Sequence, residues 1–267
     1  MSDRAQQAMS TSPTISLATT YFDGEGRPHL QECVRLALDW AVDHGVATVV
    51  MFTGTGEGPH FAAKEFLPRE RYAHLHVAAV TPPTGRPYRK VPGDDTSPII
   101  RAGISKTMRD QLRALGIDVV SAHLPFKETW DGKARVSEWT RVLEAYGVLG
   151  GGFGLCVQAI LIACDAGVVE HAEKVVTMSA DTAFVATACR TESFLSPSEG
   201  LLVDHIICRP SRYTISKRLH EALQGASQDT QATLQLALPA APQLPPAQPA
   251  IALATPRRSQ KKPTKQR

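Results

Sequence analysis

The sequence describes an α/β protein, a three-layer α/β/α Rossmann-like sandwich around a mostly parallel sheet. Two observations carry this. Short β-branched or apolar runs alternate with stretches of helical periodicity over residues 15–215, the arrangement of βαβ units. Helical stretches also end on a glycine just before the next β-rich run, at Gly45, Gly116 and Gly167, where a helix C-cap favours glycine. Crossovers between parallel strands should be right-handed.

The segments follow in order. Ile15 to Tyr21 is Thr-rich and weakly alternating, a short strand or extended entry, and DGEGRPH at 23–29 is a turn-rich connector. Leu30 to His44 is a helix, because Leu30, Cys33, Val34, Ala37, Leu38, Ala41 and Val42 share one face. Thr48 to Met51 has no polar break and reads as a buried strand; a helix follows from about Pro59 to Phe66. His74 to Thr81 is the next strand. Residues 82–98, with five prolines and two glycines, read as loop. Then come a helix over Arg101–Leu115, a strand over Ile117–Leu124, a loop over 125–132, and a helix from about Ala134 to Tyr146. A glycine cluster at 147–154 precedes the most apolar helix, Leu155–Ala166. Strands are expected at Lys174–Met178 and Val203–Cys208, with Ala183–Ala188 continuing or following the first of these.

The domain is placed at 14–218, with disordered ends at 1–13 and 219–267. From Gly225 onward the chain is rich in Ala, Pro and Gln and has no sustained period, so it lacks the apolar surface needed to offset ordering entropy. The net charge of +3 is unevenly spread. Six bases against Asp229 alone give the stretch from Gly225 a charge of +5, leaving −2 for residues 1–224. An acidic domain is the wrong sign for a nucleic-acid-binding fold, so nucleic acid is expected only as a weak contact of the tail. No apolar run of 18 residues suggests a membrane span. Five cysteines without CxxC spacing, and a polar N-terminus, point to a reducing, cytoplasmic setting.

The stretch with most chemical content is Thr53-Gly54-Thr55-Gly56-Glu57-Gly58, between the Thr48 strand and the following helix. Glycines there admit positive φ and close approach, and a helix start presents unsatisfied N–H groups. Strand, Gly/Thr loop and helix together form a candidate anion cradle. It is neither a Walker A loop nor a GxGxxG turn, because no Gly-Lys-Ser/Thr follows and the glycines are evenly spaced. The loop lies at a strand's carboxyl end, where open α/β sheets bind ligands. It contains no base, so Glu57 opposes an anion unless it points outward or pairs with a base such as Lys64.

Several segments carry a family resemblance. They are Thr20-Tyr21-Phe22 with the helix after it, Gly45 to Glu57, His123-Leu124, GFGLCVQAILIACDAG at 152–167, Ala180-Asp181-Thr182-Ala183, and IICRP at 206–210. Together they resemble the stand-alone relatives of the pyruvate kinase C-terminal domain, over roughly residues 15–215. The resemblance implies a five-stranded mixed sheet whose last strand is antiparallel, with Thr53, Thr55 and Gly56 in a phosphate-binding position. The chain departs from the pattern at three places. Gly54 and Glu57 replace a Lys and an Arg common in the kinase loop, the glycine-rich loop before Ala-Asp-Thr-Ala is cut to Met178-Ser179, and Gln158 stands where relatives often carry glutamate. Nothing resembles the catalytic barrel, so pyruvate kinase chemistry is not implied.

Asp181 and Thr182, past a strand end, either line the crevice or cap a turn. His60 and His123 sit where they could meet a ligand oxygen. Asp165 reads as a capping residue on a helix's last turn. His74 and His76 share a strand face, but no third ligand is spaced to complete a metal site, so no metal and no cofactor are expected. Neither a nucleophile elbow nor a paired acid/base set is visible, and the catalytic residues stay unknown. The expected function is binding or sensing of a small anionic, phosphorylated metabolite. Its ligand set is Thr53, Gly54, Thr55, Gly56, Glu57, Gly58, His60, His123, Asp181 and Thr182. The alternatives are an enzyme of unrecognised type at the same crevice and an interaction protein using its basic tail; homo-oligomerisation is left open.

Overall fold

The computed structural model describes residues 15–89, 99–126, 129–130, 133–134 and 138–213. The ends expected to be disordered, 1–13 and 219–267, lie outside the described residues, as does the unit Leu223–Arg267 into which the chain divides.

The elements are β1 (Thr20–Phe22), α1 (Leu30–Asp43), β2 (Thr48–Phe52), α2 (Glu57–Glu65), β3 (His76–Thr81), β4 (Arg86–Arg89), β5 (Ile99–Ala102), α3 (Lys106–Ala114), β6 (Asp118–Ser121), β7 (Thr129–Trp130), β8 (Lys133–Ala134), α4 (Glu138–Tyr146), α5 (Gly151–Asp165), β9 (Lys174–Met178), β10 (Ala183–Thr187) and β11 (Leu202–Pro210). Seven strands form the main sheet in the order β1-β11-β10-β9-β2-β3-β6. β9, β2, β3 and β6 run parallel, and β1 runs parallel to β11. β10 alone is reversed, antiparallel to β9 and to β11. The mostly parallel sheet agrees with the sequence. The strand count does not, being seven rather than five, and the reversed strand is β10 rather than the last.

That difference has a local cause. Ser179 to Thr182 closes a tight turn in which the Ser179 N–H donates to the Thr182 carbonyl at 2.8 Å. A turn this short can join only antiparallel neighbours. β11 then pairs on the far side of β10 and returns to the majority direction. Residues 82–98 are not all loop, because β4 pairs with β5 in an antiparallel hairpin. Arg101 and Ala102 belong to that hairpin, so α3 starts at Lys106, capped by the Ser105 hydroxyl, which accepts the Met108 N–H at 3.1 Å. β3 starts at His76, which leaves His74 outside the strand.

Alternation along the strands fills two cores. Val49, Met51, Val77, Ala79, Val176 and Met178 pack against α1, α2 and α3. Val50, Val80, Val175, Phe184 and Ala186 pack against α4 and α5. β2 is covered on both faces, which is why its sequence shows no polar break. α1 buries only Cys33, Val34, Ala37, Leu38 and Ala41, a single stripe. α5 is buried nearly all round, from Phe153 to Cys164, as its uniform hydropathy requires. Gln158 is fully buried within it; its Oε1 accepts the Phe126 N–H at 3.1 Å and its Nε2 donates to the Gly154 carbonyl at 3.0 Å. Among the described residues no helix is long and apolar enough to cross a membrane.

All five cysteines are buried. Cys33 Sγ lies 3.6 Å from Cys208 Sγ, a thiol–thiol hydrogen bond and not a disulfide. Burial pushes the thiols of Cys33, Cys156 and Cys164 up, and that of Cys189 up to about 11. An aromatic disulfide reagent at pH 8 should therefore find no fast thiol in the native protein and all five after unfolding in guanidinium. Rapid native reaction of any of them would contradict this packing.

Candidate functional site

The parallel pair β2 and β9 marks the point where strand order reverses. From β2 the chain runs outward to β3 and β6, then returns to β9 on the other side of β2. A crevice of about 390 Å³ opens at their carboxyl ends, within the range of small-ligand sites. Its floor is apolar: Leu30, Met51, Phe52, Pro59, Leu155 and Met178. Its rim is the turn Glu25-Gly26-Arg27, the loop Thr53-Gly54-Thr55, Glu57 and Gly58 of α2, Gly151 and Gly152 of α5, and the turn Ser179-Ala180-Asp181. The first residues of α1, α2 and α5 all reach this crevice, so three positive dipole ends converge on it.

The Thr53–Gly58 loop is closed partly on itself. Thr53 N–H donates to the Val80 carbonyl at 2.8 Å, which extends the β2–β3 pairing by one bond. The Thr53 hydroxyl oxygen accepts the Gly56 N–H at 2.8 Å, and that of Thr55 accepts the Glu57 N–H at 3.4 Å. A hydroxyl that accepts still has its own proton to donate, so both threonines keep a donor. The amide of Gly58 has no acceptor within the helix it opens, and Pro59 has no N–H. Gly56 caps α2 with φ +86°, and a Cβ there would meet Met108 Cγ at 2.4 Å. Its role is therefore to turn the chain, and it does not line the crevice.

Glu57 is paired, but not with Lys64. Arg27 Nη2 lies 2.8 Å from Glu57 Oε2. The base that the loop lacks is thus supplied by the connector before α1, which lies in the same rim. Asp181, 7% exposed, faces the crevice and is also a structural tie. Its Oδ2 accepts the Gly26 N–H at 2.6 Å, and its Oδ1 accepts the hydroxyls of Thr182 at 2.9 Å and Ser179 at 3.5 Å. Both readings of this residue hold at once.

Of the ten candidate residues, Thr53, Gly54, Thr55, Glu57, Gly58 and Asp181 line one crevice. Thr182 is fully buried behind Asp181. His60 is in the first turn of α2 but outside the crevice, and His123 lies beyond the end of β6 on the far side of β3. Asp165 caps a turn: its two oxygens accept Thr191 N–H at 3.0 Å and the Thr191 hydroxyl at 2.6 Å. His76 pairs with Asp118 at 2.8 Å. Among the described residues no cluster of three His, Cys, Asp or Glu side chains could hold a metal ion. Sequence reasoning passed over Glu25, Gly26, Arg27, Gly151, Gly152, Leu155 and Ser179. The available signal was Arg27, a lone base in a glycine-rich turn directly before a helix.

Gly152 has no room for a side chain. A Cβ would sit 2.5 Å from both Ser179 Oγ and Thr182 Oγ1, and 2.6 Å from Asp181 Oδ1. Gly152→Ala should destabilise the protein by roughly 1–3 kcal/mol, the usual cost of overpacking. Gly151→Ala, where a Cβ meets nothing within 4 Å, should change it little. Chemical denaturation of the two variants checks the difference; equal stabilities would contradict the close approach at Gly152.

No protein-family model matches the sequence, and no curated protein matches it. Solved structures similar to part of it include two of a pyruvate kinase. A crystal structure of Cryptosporidium parvum pyruvate kinase shares 10% identity, with a TM-score of 0.31, over 62% of this chain and 23% of the kinase chain. The Cryptosporidium parvum pyruvate kinase in complex with ADP shares 10% identity, with a TM-score of 0.28, over 67% of this chain and 23% of the kinase. The chain thus spans about a quarter of those proteins' length.

Proposed function

We propose that the protein binds a small metabolite in the crevice between β2 and β9, holding an anionic group over the start of α2. One observation carries the reading: three helix starts, two donor threonines and one arginine converge on a single apolar-floored crevice at the strand-order switch. Each element has a part. The Thr53 and Thr55 hydroxyls and the Gly58 amide donate. Arg27 supplies charge once it turns from Glu57. That exchange costs little, because the pair is 76% and 43% exposed and exposed ion pairs contribute about 0–1 kcal/mol. The phosphate position implied by the sequence resemblance falls on the same loop.

Among the described lining residues the one hydroxyl that meets a carboxylate, Ser179, does so only at 3.5 Å, and that carboxylate, Asp181, is also held by Gly26 and Thr182, so binding is favoured over turnover. Isothermal titration with inorganic phosphate and with small carboxylates tests the reading. A hydroxyl bond to a charged group contributes roughly 1.5–3 kcal/mol, so Thr55→Ala should weaken anion binding about ten- to a hundred-fold. Glu57→Gln should strengthen it, more so at low salt, where screening is least. Parent-like binding by Thr55→Ala would reduce the loop to a turn and remove the anion cradle.

A further inference from the structure

Among the described residues four ionisable side chains line the crevice: Glu25, Arg27, Glu57 and Asp181. One base against three acids gives the lining a formal charge of −2. Glu57 is balanced by Arg27. Glu25, an exposed residue, has neither ion pair nor side-chain hydrogen bond among the described residues. Among the described residues Asp181 meets only neutral donors, the Gly26 amide and two hydroxyls. A carboxylate offers about four acceptor sites, so three bonds leave Asp181 one, on Oδ2. The lining is therefore two-signed: the helix starts and Arg27 favour an anion, while Glu25, in the same turn as Arg27, and Asp181, tied to that turn through Gly26, have no basic partner among the described residues.

A phosphate monoester brings roughly two negative charges and would oppose Glu25, Glu57 and Asp181 with a single arginine. Two phosphates on one ligand would be worse. A group of one negative charge can take Arg27 from Glu57, and a positive charge on the same molecule would meet the acids that have no partner. We propose that the crevice takes a small zwitterion, one carboxylate and one ammonium on an apolar skeleton, of which an α-amino acid with an aliphatic or aromatic side chain is the simplest form. The carboxylate lies at the α2 start and Arg27, the ammonium at Asp181 and Glu25, and the side chain on Leu30, Met51 and Leu155. The assignment rests on the crevice being the anion site, and it narrows the ligand to a class that the loop alone does not indicate.

Isosteres separate the two claims. Titrations on the full chain would use glycine, alanine, leucine and phenylalanine, then 2-hydroxy-4-methylpentanoate (the leucine skeleton without the ammonium), leucinamide (without the carboxylate) and inorganic phosphate. At least one of the larger amino acids should bind, and leucine should bind tenfold or more tighter than either isostere. Glu25→Gln should shrink the gap between leucine and its hydroxy analogue by several-fold while leaving the hydroxy acid no weaker. Arg27→Gln should shrink the gap between leucine and leucinamide. Binding of the hydroxy acid or phosphate as tightly as leucine would overturn the zwitterion and leave the anion reading standing. Leucinamide binding as tightly as leucine, or no binding by any probe, would overturn both.

Discussion

The carboxylate of Asp181 is the joint on which the crevice depends. It lies in the turn between β9 and β10, yet it accepts from Gly26, 155 positions away in sequence. It also sits against the first turn of α5, where Gly152 leaves a slot for it and for its two hydroxyl partners. Three parts of the chain that share no secondary structure are tied through one side chain. Bonds to a charged group contribute roughly 1.5–3 kcal/mol each, and leaving their buried donors unpaired adds a penalty of its own. The helix dipole of α5 favours the same negative charge. The turn that carries Arg27 is therefore fixed at the backbone of its neighbour Gly26, and Arg27 can reach across to Glu57.

Charge in the rim follows from this geometry. Glu57 occupies the first position of α2, where an acid interacts well with the helix dipole. It stands at the place the proposal gives to a ligand's anionic group, and it engages Arg27. The rim thus carries a weak, exposed ion pair, which on the proposed reading an incoming anion would displace. The floor beneath belongs to the core: Met51, next to last in β2, and Met178, last in β9, are almost wholly buried. The crevice is thus a gap at the top of the packed sheet, shaped by rigid elements below and by two tied turns above.

Much of this was legible in the sequence, for local reasons. The C-cap glycines Gly45, Gly116 and Gly167 take φ of +68°, +79° and +71°, so the boundaries they mark are real. The apolar run at β2 and the Gly/Thr loop after it sit where strand-loop-helix logic puts them. Other features depend on contacts that no local pattern reveals. The β4–β5 hairpin lies in a stretch whose prolines suggested loop alone, and the reversal of β10 turns on the length of one turn. Arg27 looked like part of a connector because its partner is thirty residues away. His60 and His123 sat close to the loop, or at a strand end, without facing the crevice. Position along an element is readable from sequence, whereas the direction in which a side chain meets another element is not.

Amide hydrogen exchange at Gly26 tests the tie most directly. In the parent protein the Gly26 N–H should exchange slowly, because it is held at 2.6 Å by a largely buried carboxylate. In Asp181→Ala it should exchange tenfold or more faster, while the β2 amides at Val49 to Met51 keep their protection. Equal exchange at Gly26 in the two proteins would show that the turn is held by something else, and that Asp181 does not organise the crevice.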